Sequence, residues 1–219
     1  MQFIRISSEE PVVSYLVKTL VEHLRAGERV LWLLSGGSAI KVELEVAREL
    51  LGMPLELLSV SLIDERYGPV SHADSNWQQL EAAGFDLPGA TLLPVLVGLG
   101  RDATVAKWGS SMDELLTSAQ YRLGFFGIGP DGHTSGILPN SLAVAATGVD
   151  FSYDGGGYQR ITTTFTTILR LDEAVVYAVG EAKWPVLDRL NQNVALADQP
   201  AQVLKQLDKL TVFTDQPAD

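Results

Sequence analysis

The chain predicts an α/β fold in which a mainly parallel central sheet is flanked by helices, and two observations carry that prediction. Strand-like apolar runs alternate with stretches of helical periodicity from one end to the other. Several of those runs end in glycine or in charged residues just before the next helical pattern, which is where open parallel sheets carry their ligands. The 219 residues are 46% hydrophobic, enough to bury a substantial core, and there is no low-complexity tract and no internal repeat, so residues 1–219 are expected to form one domain.

In chain order, Gln2 to Ile6 reads as a short edge-like strand. Ser7 with Glu10 three residues on makes a capping box, and Pro11 fits a first helical turn. Val13, Leu16, Val17, Leu20, Val21 and Leu24 then recur at three- and four-residue spacing until Gly27 ends the helix. Arg29 to Leu34 is a continuous apolar strand that runs into Ser35-Gly36-Gly37-Ser38, with Ser38 a possible N-cap for a helix over Ile40 to Leu51. The strand Glu56 to Ile63 ends at Asp64-Glu65-Arg66-Tyr67-Gly68, and Asp74 or Ser75 caps the helix that carries Leu80 and Ala83. A strand around Thr91 to Val97 precedes a helix over Arg101 to Ser118 that buries Val105, Trp108, Met112, Leu115 and Leu116. Tyr121 to Ile128 is aromatic and aliphatic enough to be a buried strand.

Asp150 to Gln159, with three consecutive glycines, reads as a surface loop in preference to a lid. Arg160 to Thr164 is β-prone and turns helical up to Leu171. Ala174 to Val179 is a further apolar strand, ending at Gly180-Glu181-Ala182-Lys183. A helix over Trp184 to Leu190, a proline-initiated helix from Pro200 to Leu207 and a strand over Leu210 to Phe213 complete the pattern.

Chemistry concentrates at the strand ends. Gly127, Gly129 and Gly132 let the backbone turn where the strand before Asp131 and His133 stops, so a polar pair stands where a site is expected. The strand, glycine loop and helix around Gly36, Gly37 and Ser38 form a phosphate-binding arrangement, because exposed N–H groups at a helix start donate to oxygens and the macrodipole favours an anion. A tight turn accounts for that loop equally well, and it is neither a Walker loop nor a dinucleotide fingerprint. Asp64 and Arg66 either reach a ligand or belong to a solvated loop, and Lys183 is another cation just past a strand end.

A net charge of −11 disfavours nonspecific nucleic-acid binding and anionic membranes, both of which need an extended basic face. An anion site would then need some of the 16 Lys and Arg residues to converge locally. Cysteine is absent, which excludes disulfides and thiolate chemistry. With neither a signal peptide nor a transmembrane-length apolar run, the protein is expected in the cytoplasm. Three scattered histidines make no metal site, and no cofactor is implied.

Taken together, LSGGS at 34–38, DERYGPVSHADSN at 64–76, GIGPDGHTSGILP at 127–139, RITTT at 160–164, VGEAK at 179–183 and PAQVL at 200–204 closely resemble the 6-phosphogluconolactonases, within the larger family that also contains glucosamine-6-phosphate isomerases. The order and spacing of these pieces, over nearly the whole chain, carry the resemblance. It implies a modified Rossmann-like three-layer sandwich and hydrolysis of 6-phospho-D-glucono-1,5-lactone to 6-phosphogluconate. By matching motifs, Gly36, Gly37 and Ser38 would hold the phosphate, with Arg66, Arg160 and Lys183 as cationic partners, and His133 would be the catalytic base. Asp64 and Asp131 would orient sugar hydroxyls or the imidazole. A histidine near a helix amino terminus has its cation disfavoured and stays available as a base at neutral pH. The chain departs from the usual pattern at Ser135-Gly136-Ile137-Leu138, where the wall after His133 is less aromatic.

The expected partner is thus a phosphorylated sugar lactone, bound by a monomer or small homo-oligomer. An isomerase/deaminase reading expects a glutamate shortly after the DGH motif, and no Glu occurs between Glu114 and Glu173. A non-catalytic sugar-phosphate sensor would need a DNA-binding module, whereas the sequence opens directly on the first strand of the fold.

Overall fold

The computed structural model describes residues 1–217. Seven parallel strands form the central sheet: β1 (Gln2–Arg5), β2 (Val30–Leu34), β3 (Leu58–Leu62), β5 (Thr91–Leu93), β6 (Tyr121–Phe126), β9 (Glu173–Tyr177) and β10 (Lys209–Thr214). Their spatial order is β1-β10-β9-β6-β2-β3-β5. From β2 the chain moves outward through β3 to β5, and from β6 it moves the opposite way through β9 to β10. The switch between the adjacent strands β2 and β6 opens a crevice at their carboxyl ends, where a parallel sheet receives ligands.

Burial follows from composition. All five residues of β2 and all five of β9 are buried, as expected of parallel strands covered on both faces. The helix α1 (Glu10–Arg25) turns Val12, Leu16, Leu20 and Leu24 fully inward at four-residue spacing. Val13, Val17 and Val21 are only half-buried, because they flank the contact between α1 and α2 (Ile40–Leu50). In α4 (Arg101–Ser118), Trp108, Met112 and Leu116 are buried, and the Trp108 indole donates to Ser61 Oγ at 3.1 Å. Among the described residues no helix is long and apolar enough to cross a membrane.

Several local expectations need correction. The capping box does not form: Glu9 is the N-cap of α1 without a side-chain cap bond, and its carboxylate instead pairs with Lys41 at 2.8 Å. Ser38 caps nothing, since Gly37–Ala39 is a 3-10 turn that runs directly into α2. Ser75 is the true cap of α3 (Asn76–Ala82), its hydroxyl accepting the Gln78 N–H at 3.0 Å. Pro200–Gln206 winds as 3-10 helix throughout.

The largest difference lies between residues 150 and 159. The expected loop is two strands, β7 (Asp150–Gly155) and β8 (Tyr158–Thr163), paired antiparallel and joined by β4 (Asp64–Arg66) into a second, three-stranded sheet. Gly156 and Gly157 have φ of +60° and +81°, the positive pair that a tight two-residue hairpin turn demands. The glycine run that reads as slack chain is therefore the turn. Phe151 and Tyr153 alternate along β7 with their rings stacked at 6.1 Å, and Arg101 ties the hairpin to α4 through Asp154 at 2.7 Å.

This small sheet is anchored by one buried carboxylate. Glu65, fully buried, accepts from the N–H groups of Arg66 at 2.7 Å, Asn76 at 2.7 Å and Trp77 at 3.1 Å, and from Ser75 Oγ at 2.9 Å. Burial pushes its pKa up and these donors oppose the rise. Removing the acceptor strands three peptide N–H groups in the interior, each costing about 1–3 kcal/mol. Glu65→Ala is therefore expected to lose roughly 3 kcal/mol or more of stability in urea unfolding. A loss below about 1 kcal/mol would show that the turn is held by other contacts.

Candidate active site

Four adjacent strands of the central sheet, β9, β6, β2 and β3, deliver their carboxyl ends to one cleft of about 220 Å³. Its walls include Gly36, Gly37 and Ser38 after β2, Asp64 and Arg66 after β3, His133 after β6 and Lys183 after β9, with Arg160 arriving from β8. Every residue singled out from the sequence except Asp131 lines this cleft, and Asp131 touches it through His133. The convergence follows from the parallel topology, which sends each βα connection to the same edge of the sheet.

The β4–β8 pairing determines what the cationic wall presents. Side chains alternate along a strand, so Asp64 and Arg66 face the cleft while Glu65 between them turns down to the α3 cap. Arg66 stands directly opposite Arg160 in the ladder, and both guanidiniums lie over the Tyr158 ring, 5.2 and 5.5 Å from its centroid. Arg160 is buried, donates its Nε–H to Gly155 O at 2.9 Å and approaches Asp64 Oδ2 at 3.9 Å. Burial raises the Asp64 pKa, and the charges of Arg66, Arg160 and His133 oppose that rise. Lys183 is half-buried, and its loss of solvent pulls its pKa down.

At the other wall, His133 Nδ1 meets Asp131 Oδ1 at 2.6 Å, and the His133 backbone N–H donates to the same oxygen at 3.1 Å. Burial works against ionisation of Asp131, but the His133 N–H and imidazole outweigh it and hold its carboxyl below the usual range. An ionised carboxylate can only accept, so Nδ1 carries a proton, and in the neutral ring the lone pair is then on Nε2. The expected helix terminus beside His133 is absent: the chain passes through a tight turn closed by a Thr134–Ile137 bridge. The imidazole is oriented by Asp131 and by contact with backbone, not by a helix dipole. A Cβ on Gly129 would stand 2.2 Å from the ring, so only glycine lets the imidazole lie there.

The Ser135-Gly136 departure has a local cause. Gly136 adopts φ +67°, and a Cβ on it would stand 2.7 Å from Asp64 Oδ2, so this glycine makes room for the buried carboxylate. Thr162 Oγ1 donates to Ser135 O and Tyr153 Oη to Gly136 O at 2.6 Å, locking the turn against the small sheet.

Sequence reasoning missed three groups. Asn76 donates Nδ2–H to Asp64 O at 3.0 Å and keeps a buried Oδ1 without a partner at the cleft wall, and Ser135 keeps a buried Oγ in the same condition. Glu43, fully buried on α2, accepts the N–H groups of Ser35 at 2.7 Å and Gly36 at 3.1 Å. Gly36 thus lines the cleft with its N–H turned away from it. A signal for Glu43 was present, since it falls on the buried stripe of Ala39, Val46, Ala47 and Leu50, where a charge is out of place.

The chain matches the family described as glucosamine-6-phosphate isomerases/6-phosphogluconolactonase over residues 7–213. It is 30% identical over 199 residues to a 6-phosphogluconolactonase of Synechocystis sp., a match covering 84% of this chain and 81% of that protein. A solved 6-phosphogluconolactonase of Thermotoga maritima superposes with a TM-score of 0.84 at 19% identity, over 97% of this chain and 98% of that one. A solved monomeric glucosamine-6-phosphate deaminase superposes with a TM-score of 0.81 at 15% identity, over 99% and 98%. These two likenesses show the fold, which is common to both activities. The family match spans almost the whole chain, and the protein belongs to the glucosamine-6-phosphate isomerase/6-phosphogluconolactonase family.

Proposed function

We propose that the protein hydrolyses 6-phospho-D-glucono-1,5-lactone to 6-phosphogluconate. The observation that carries this reading is that one cleft brings together a histidine–carboxylate pair and three cations, Arg66 and Arg160 on the small sheet and Lys183 after β9, available for a phosphate. The lactonase name of the Synechocystis relative supports the same substrate. The absence of any Glu between Glu114 and Glu173 weighs against the isomerase alternative, although the fold accommodates both.

In this reading His133 Nε2 removes a proton from water as the water oxygen attacks the lactone carbonyl carbon. The charge that develops on the carbonyl oxygen is met by donors and cations of the cleft. Collapse of the tetrahedral species breaks the bond to the ring oxygen, which takes the proton back from the His133 imidazolium. Water is thus added across the ester, and the histidine returns to its starting state. Asp131 holds the productive tautomer, and Asp64 is positioned to accept from sugar hydroxyls.

Proton release from freshly prepared 6-phosphogluconolactone, corrected for spontaneous opening, tests the activity; a corrected rate of zero would refute it. His133→Asn is expected to lower kcat by roughly two to four decades with 6-phosphogluconate affinity little changed. A folded His133→Asn protein with near wild-type kcat would remove the base from the account. Asp131→Asn, whose amide can turn a donor toward Nδ1, is expected to lower kcat about a hundredfold or more.

The pH dependence has a defined sign. Because the folded pKa of Asp131 is depressed, its contribution to stability is present above the ordinary carboxylate pKa of about 3.8–3.9 and is lost only as pH falls through the folded value. An acid limb of activity that follows Asp131 alone would contradict the scheme. Lys183→Ala and Arg66→Ala should each lower kcat/KM for the phosphorylated lactone by about one to two decades, since a charge-assisted hydrogen bond contributes roughly 1.5–3 kcal/mol. Equal losses on unphosphorylated gluconolactone would show that these cations do not read the phosphate.

A further inference from the structure

Glu43 stands in the first turn of α2, just after the Ser35–Ser38 loop, with its side chain wholly enclosed. One carboxylate oxygen, Oε1, accepts both the Ser35 and the Gly36 N–H. The other, Oε2, is buried with no hydrogen-bond partner. The loop is also tied sideways, because Ser35 Oγ accepts the Gly127 N–H at 3.2 Å and so connects it to the strand end that leads to His133. The N–H groups of Gly37 and Ser38 open the 3-10 turn, where no preceding helical carbonyl closes on them. The Ser35 and Gly36 N–H groups are therefore taken up by a buried carboxyl, while the next two residues, Gly37 and Ser38, line the cleft.

We propose that Glu43 is the positioning residue of this loop, and that it takes up a proton on Oε2 when a phosphate dianion binds in the cleft. The inference rests on the phosphate reading of the loop given above. An ionised Glu43 aims the loop from beneath, but its charge stands close behind the peptides that receive the dianion, in surroundings that screen poorly. Protonation removes the repulsion and leaves Oε1 as acceptor for both N–H groups, so the loop keeps its shape while its charge changes.

The surroundings fit this exchange. Burial pushes the Glu43 pKa up to about 7, and the Ser35 and Gly36 N–H groups restrain the rise. No charged side chain contributes to that shift. Lys41, Glu45 and Glu49 lie on the opposite face of α2, lining a groove with Glu9, Glu10, Lys18, Glu22 and Arg25 of the α1 segment. From the α3 side the nearest elements bring Glu65, bound by its own donors, and Glu81, bonded to the Trp77 indole at 2.9 Å. Across the cleft stand Asp64, Arg66, Arg160, His133 and Lys183, which are unchanged in a Glu43 variant.

Calorimetric titration with 6-phosphogluconate in two buffers of different ionisation enthalpy tests the proposal. At about pH 8, where a group of pKa near 7 is mostly ionised, the wild type should bind up to about one proton more than Glu43→Gln. Between about pH 6 and about pH 8 the wild-type affinity should fall about tenfold more than that of the variant. Equal proton uptake with parallel affinity profiles would overturn the proposal, even with lactonase activity intact. Should Glu43→Gln fail to fold, infrared difference spectra of the native protein carrying isotopically labelled glutamate decide the same question: a protonated glutamate band must arise on adding 6-phosphogluconate at about pH 8, and its absence refutes the idea. If the native protein binds no 6-phosphogluconate at all, the phosphate reading falls first and this inference falls with it.

Discussion

Arg66 and Arg160 face each other directly across an antiparallel ladder, and the organisation of the cleft depends on that pairing. Like charges directly opposite are destabilising, and Arg66 Nε is in addition buried without a partner. Part of the cost is offset within the protein. The Tyr158 ring lies beneath both guanidiniums, Asp64 approaches Arg160, and Gly155 O accepts from it. Asp64, the one carboxylate among these groups, feels the charge of both arginines but comes only to 3.9 Å of Arg160, and the proposed ligand phosphate would add a second anion from the cleft side. Glu65 keeps the pairing in register by fixing the turn into α3, so a buried carboxylate that touches no ligand holds up the residues that would.

The two walls are mechanically connected. The Ser35–Gly127 hydrogen bond joins the loop after β2 to the loop after β6, and Thr134 Oγ1 donates to Gly127 O at 2.8 Å, next to His133. Gly136 lets Asp64 lie under the turn that follows His133, so the small sheet and the histidine loop share one contact surface. Packed backbone thus joins the small sheet to the turn that carries His133, which is how a loop-built site can hold its geometry.

Much of this was legible in the residues. Parallel strands with buried, near-continuous apolar sequence announced the sheet, and charged or glycine-rich residues at their ends marked the crevice, because an uncovered strand end is the one place such residues cost little. The failures have physical causes. Gly155-Gly156-Gly157 reads as loose chain, yet positive φ at two successive positions is also what a tight hairpin needs, and only the partner strand distinguishes the two. His133 was expected near a helix amino terminus, but the glycines around it close a tight turn, and Asp131 does the orienting instead. Glu43 escaped notice because one charge within a helical pattern looks solvent-facing until its neighbours Val46, Ala47 and Leu50 are seen to be buried.

The central claim is that the cleft is polar in a defined direction, with phosphate at the arginines and the reacting carbon at the histidine. A crystal structure with 6-phosphogluconate bound measures this directly. The account predicts phosphate oxygens within about 3 Å of the Arg66 or Arg160 guanidinium and of the Gly37 and Ser38 N–H groups, with the sugar carboxylate at His133 Nε2. A ligand bound in the reverse sense, or seated in the groove between α1 and α2, would contradict it.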